Sequence, residues 1–364
     1  MLRWVDPDEH DGQSIDRKAL GEREPVFYTI PYDDWAYRTG VRRASHEINL
    51  QIRRLTSSPL IATGVTADHT GFDHERGVSV TLASMKTYNQ EERIEPDISI
   101  EELEAELPSQ ITVTVENSAN ETEIEDIPVL IEEVEAKQNT NYYTDEYRPI
   151  PAGCAASIYK GGYLPPCQWG VGTWATPIYS TTGNEWQMLT HGHGKDDSND
   201  DNGYQPWGGG CPNSSYEVGE IVEWVDLGLD QDAARVELSS VSGFPIDPSI
   251  AEDDGSTSGF INGTIAFDSL EDHYLGDPHT RVNKQGITTG RSDGYVEWLS
   301  DNETMGNIRL SYAADFDLGD SGGPYYEHTS NDYIYMIGMH NWEVNNRAQG
   351  HVMELIEDAW DVVV

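Results

Sequence analysis

Lysine is nearly missing from this chain. Its 364 residues hold six Lys and sixteen Arg against 65 carboxylates, a formal charge of −43. A surface of that sign repels phosphate, so nucleic acid is not an expected partner. Cysteine is also scarce. Cys154, Cys167 and Cys211 permit at most one intramolecular disulfide, in any of three pairings. No apolar run approaches the roughly 18 residues that a membrane span needs. The first residues carry neither an apolar stretch nor a twin Arg, so no leader is visible and the expectation is a soluble, cytoplasmic protein, with an extracellular one as the alternative. What is abundant argues against a disordered polyacid: ten Trp and nineteen Tyr call for a packed interior.

The length suits two domains. Asp33 and Asp34 mark the start of a helix reaching about Leu55, with Val41, Ala44, Ile48, Ile52 and Leu55 at helical spacing. A short helix near Ile98–Leu107 precedes a strand with alternating Ile111, Val113 and Val115, and the run Ile127–Ile131 reads as another strand. These elements define an α+β N-terminal domain over residues 1–145, with a polar, Tyr-rich linker from Gln138 to Glu146. Beyond it, short β-rich runs alternate with Gly, Pro, Asn and Asp for some two hundred residues, as in a barrel protein. The end turns helical, with Val352, Leu355, Ile356, Ala359 and Trp360 on one face.

The most informative stretch is Leu318–Pro324, LGDSGGP. Glycines on both sides of Ser321 allow a tight turn that presents the hydroxyl, and the amides of Gly319 and Ser321 can face an oxygen that gains charge in acyl transfer. This segment resembles the nucleophile motif of chymotrypsin-like serine proteases. A nucleophilic Ser needs a base and an orienting carboxylate, and in that family they come in the order His, Asp, Ser. Trp186–Gly194, WQMLTHGHG, resembles the strand end that carries the family's catalytic His, which places His193 there, with His191 as its rival and Gly194 where many members have Cys. The run Asp230–Val236 resembles the bacterial Asp-x-Ala pattern and makes Asp232 the orienter over Asp226 and Asp230.

Arg281–Val296, RVNKQGITTGRSDGYV, is similar to a stretch of the alpha-lytic and streptogrisin-type bacterial proteases. There a cation pairs with the Asp before the nucleophile, in place of a freed N-terminus. The resemblance puts Lys284 in that role with Asp320 as its partner, and implies activity without removal of residues 1–145. Arg148–Ile158, Gly172–Trp174 and Ile127–Glu133 extend the likeness upstream, so that it covers about residues 108–364. It implies a mainly β, chymotrypsin-like double β-barrel with a C-terminal helix over 146–364, preceded by a domain with a regulatory or folding role.

The implied function is a serine endopeptidase acting on polypeptides. The alternatives are a catalytically silent protease-fold scaffold or a protease limited to self-cleavage. Asp315, six residues before Ser321, falls where trypsin-like members place the base of the specificity pocket, which implies cleavage after Arg or Lys. The strand Ile337–Trp342, with His340, is expected to line the same cleft and to pair with substrate backbone. Neither cofactor nor metal is called for; the acidic run Asp196–Asp201 reads as a solvated loop rather than a Ca²⁺ site. The acidic, Lys-poor composition resembles proteins of extreme halophiles, because molar salt shortens the Debye length to about 3 Å and removes most of the self-repulsion. Oligomeric state is not legible.

Overall fold

The computed structural model describes residues 32–58, 60–67, 76–86, 96–116, 121–137, 147, 149–161, 168–195, 202–205, 216–238, 246–252, 256–277, 279–311, 314–317 and 319–364. The expected linker, Cys167, Cys211 and the acidic run 196–201 lie outside them. The chain is mainly β. The helix Tyr32–Leu55 forms as its periodicity requires, with Val41, Ala44, Ile48 and Ile52 buried; Leu55 is exposed at its end. The helix Ile100–Glu106 starts at a capping box, in which the Ser99 hydroxyl accepts from the Glu102 amide and the Glu102 carboxylate accepts from the Ser99 amide. A third helix, Phe267–His273, was not anticipated: seven residues, no side-chain cap and a polar sequence leave little periodic signal. Arg42 of the long helix holds it through ion pairs to Asp268 and Glu271.

The strand Ile61–Thr66 pairs on one edge with Gly77–Lys86 and on the other with Val296–Ser300, in the register Val65↔Leu299. The N-terminal strands therefore extend a twelve-stranded sheet that also holds Pro324–His328, Tyr333–Val344 and Arg347–Val352. One apolar core crosses this junction, joining Ile48, Val80 and Ile127 to Val296, Leu310 and Ile337. Gly64 permits the approach, since a Cβ there would lie 2.4 Å from the Leu299 carbonyl oxygen. The second sheet has eight strands, in which Glu185–Thr190 lies beside Asp232–Leu238. The C-terminal helix Met353–Trp360 buries Met353, Ile356 and Trp360, and the strand Val362–Val363 after it pairs with Tyr179–Ser180 of this second sheet.

A buried carboxyl sits at the junction. Glu303 is fully enclosed; its Oε1 accepts from the Thr63 amide at 3.2 Å and its Oε2 meets the Ser300 hydroxyl. Ser300 has one proton, and it donates that to the Thr63 carbonyl at 2.6 Å. A protonated Glu303 donating to Ser300 satisfies every group, and burial pushes its pKa up to about 7. With the unfolded value near 4.5, the folded state binds the extra proton between pH 4.5 and 7, so stability falls as pH rises through that window. The full swing is about 3 kcal/mol. Denaturant titrations in molar salt at pH 5 and pH 7.5 should show this loss in the parent protein and little of it in Glu303→Gln. Equal slopes in the two proteins would refute the assignment.

Candidate active site

The pairing of Glu185–Thr190 with Asp232–Leu238 sets Thr190 opposite Ala234, so the turn after the first strand meets the start of the second. Gly192 makes that turn possible, because a Cβ there would lie 1.9 Å from the Val225 carbonyl oxygen. The Asp232 carboxylate is buried and saturated. Its Oδ1 accepts from the amides of Gly192 at 2.7 Å and His193 at 2.8 Å, and its Oδ2 lies 2.6 Å from His193 Nδ1. Burial alone would raise its pKa; the charge and hydrogen bond of His193 override that and hold it well below the usual carboxylate range. The Asp232 backbone is fixed as well. Its amide donates to His351 Nε2 at 2.8 Å, and its carbonyl accepts from Asn341 Nδ2.

The rival residues make other contacts. His191 is buried with its ring 4.2 Å from that of His193, and it packs against Gly172 and Gly194; a Cβ on Gly172 would lie 2.2 Å from its Nε2. Asp226 is exposed, and Asp230 accepts from the Thr304 amide at 2.8 Å.

The turn carrying Ser321 is clamped through its backbone to both sheets. Thr173 donates from its hydroxyl to Gly319 O at 2.8 Å and from its amide to Ser321 O at 2.7 Å. On the other side the Gly322 amide donates to His340 O at 2.6 Å, and the His340 amide to Gly323 O at 2.7 Å. Gly319 and Gly322 have φ of 106° and 87°, open to glycine and strained for other residues. The Ser321 hydroxyl donates to the Asn341 carbonyl at 3.3 Å. Asn341 thus touches the nucleophile candidate with its backbone and Asp232 with its side chain.

Lys284 and Asp320 are both fully buried side chains, 2.6 Å apart. Asp320 also accepts from the Thr289 hydroxyl at 2.6 Å and from the amides of Thr288, Thr289 and Asp317. Burial pulls the Lys284 ammonium down, and Asp320 opposes it. On the carboxylate, burial is outweighed by Lys284 and the surrounding donors, so Asp320 is held below its ordinary value. With five donors around it, Asp320 is the ionised partner.

The two specificity candidates differ. Asp315 is exposed, and its carbonyl accepts from Ser292 Oγ at 3.1 Å. His340 is fully buried, with Nδ1 2.7 Å from the Tyr325 hydroxyl and its ring stacked on Phe316 at 6.2 Å. Burial and the charge of Lys284 push its pKa well below normal, so it is neutral. Asn341 and His351, which fix the Asp232 backbone, carry no motif: Asn341 sits as a polar residue in the largely apolar strand Tyr333–Val344, and His351 is one of several polar residues in Arg347–Val352. Among the described residues, no group of His, Cys, Asp or Glu is arranged to hold a metal ion, and no helix is long and apolar enough to cross a membrane. Cys154 is buried, with Sγ donating to Pro151 O at 3.2 Å.

No protein-family profile and no curated protein sequence matches the chain. Similar solved structures exist at low identity. One is a glutamic acid-specific serine protease said to use a histidine triad in substrate binding: TM-score 0.41, 19% identity, covering 59% of this chain and 100% of that one. Protease A of Thermobifida fusca gives 0.39 and 17%, covering 59% and 98%. A Cellulomonas bogoriensis chymotrypsin gives 0.39 and 15%, covering 58% and 96%. Likenesses this distant assign neither activity nor site residues.

Proposed function

We propose that the chain is a serine endopeptidase that works through His193, Asp232 and Ser321. The observation that carries this reading is the buried Asp232–His193 pair at 2.6 Å, tied through Asn341 to the Ser321 hydroxyl. Ser321 Oγ attacks the scissile carbonyl while His193 takes its proton, and Asp232 holds the imidazole tautomer and stabilises the imidazolium. The oxyanion faces the amides of Gly319 and Ser321; losing one such donor typically lowers turnover by about 10²–10³. His193 then protonates the leaving amine, and water, deprotonated by His193, releases the acyl group. Lys284–Asp320 supports the turn from below, so full-length protein is the active form. The charge of −43 fits work in concentrated salt.

An aryl phosphonate added to full-length protein in molar KCl tests the site without knowledge of the substrate. The expected result is one adduct, at Ser321, lost in His193→Ala. A folded protein that takes no adduct would favour the scaffold reading. A chain trimmed once, with no turnover of added peptides, would favour self-limited cleavage.

A further inference from the structure

The turn between the strands Val296–Ser300 and Asn307–Leu310 is fastened to the N-terminal part of the chain. Asn302 Nδ2 donates to Ser45 Oγ of the first helix at 2.9 Å and to the Thr63 carbonyl at 2.6 Å. The Thr63 amide in turn donates to Glu303. Both backbone groups of Thr63 are thus spent on this turn. Ser45 and Thr63 are buried, where a hydrogen bond is costly to leave unmade.

The same turn is fastened to the segment that carries Asp232. The Thr304 amide donates to Asp230 Oδ1, and Asn307 Nδ2 to the Leu229 carbonyl at 2.8 Å. Gly306 closes the turn, with its amide on Glu303 O at 3.1 Å and a φ of 54°. Its carbonyl lies 2.8 Å from His351 Nδ1, and the other ring nitrogen of His351 meets the Asp232 amide at 2.8 Å. An amide can only donate, so Nε2 carries no proton and Nδ1 gives its own to Gly306. Burial pushes the pKa of this ring below its ordinary value, with Gly306, Asp232 and Asp230 acting the other way. Trp342 stands edge-on to the ring at 5.0 Å. One enclosed imidazole therefore sets the spacing between the turn and the Asp232 backbone, and Asp232 sets the orientation of His193.

We infer that Asn302 and His351 are positioning residues of the proposed triad: Asn302 moors the turn to the first helix and to Thr63, and His351 carries the place of the turn to the Asp232 backbone. This rests on the peptidase reading and extends it, because it makes N-terminal residues part of what holds the site. Loosening either link should slow the chemistry and leave substrate affinity alone, since Asp232 acts on the imidazole and not on the peptide.

The test compares the parent with His351→Leu, His351→Gln and Asn302→Ala, all full length in molar KCl, on the best peptide from a fluorogenic mixture. Turnover is counted per phosphonate-titrated site, so that unfolded molecules drop out. His351→Leu should lose about 10–10²-fold in kcat at unchanged KM, the scale set by a misplaced catalytic group. His351→Gln should regain most of that, since a carboxamide can accept from Asp232 and donate to Gly306. Asn302→Ala should lose roughly 3–10-fold in kcat, again at unchanged KM, and it decides the matter if His351→Leu does not fold. Parent-like kcat per site in the folded variants, a loss confined to KM, or a Gln variant as slow as the Leu one would overturn the inference and leave the peptidase reading intact. No turnover and no adduct in the parent would remove both.

Discussion

Ser321→Ala should lower peptide turnover by roughly 10⁴–10⁶-fold, the range expected when the nucleophile of such a constellation is lost. The protein should remain folded, because the turn is held by backbone atoms. The clamps from Thr173 and His340 involve carbonyls and amides of Gly319, Ser321, Gly322 and Gly323, and none of them uses the hydroxyl. The bond of the hydroxyl to Asn341 O, at 3.3 Å, is long for a hydroxyl donor, so its loss shifts the melting temperature little. In the proposed triad the three residues act as a unit, so adding His193→Ala to Ser321→Ala should produce almost no further loss. Turnover in Ser321→Ala above a hundredth of the parent's would mean that another group attacks the substrate.

The second large effect concerns folding. Lys284→Met leaves the Asp320 carboxylate enclosed with its neutral donors but no counter-charge, and breaking a buried pair in this way lowers stability by about 3–5 kcal/mol. The loss should persist in molar salt, since both side chains are fully buried and screening acts on exposed charges. Lys284→Met combined with Asp320→Asn should recover part of it, which separates loss of charge balance from loss of packing. Urea titrations in which Lys284→Met stays within 1 kcal/mol of the parent would show that the carboxyl is protonated in the folded state. Because Asp320 also precedes the proposed nucleophile, turnover in Lys284→Met should fall even under conditions where the variant is folded.

The parts of the site that the sequence discloses are those fixed by local geometry. A Ser between glycines needs positive φ beside it, a His after an apolar strand needs a turn, and both can be read within a few residues. The meeting of Lys284 with Asp320 depends on a resemblance, since no local rule brings together residues on different strands. Asn341 and His351 were missed for the same reason. What they hold is the backbone of Asp232, and nothing in HNW or GHV announces a partner more than a hundred positions away. The two N-terminal helices and the strands around Ile111–Val115 and Ile127–Ile131 were legible, whereas Ile61–Thr66 and Gly77–Lys86 carried no reading as strands. Nor was it legible that Ile61–Thr66 joins Val296–Ser300, because strand pairing at long range leaves no periodic trace in either partner.

That last pairing bears on how the chain is made. Ile61–Thr66 leaves the ribosome long before Val296–Ser300 exists, a wait of roughly 10–50 s at about 5–20 residues per second. Through that interval one edge of the strand is without its final neighbour. The nascent protein must stay soluble by other means, and an abundance of negative charge along its length serves that need before any tertiary structure has formed.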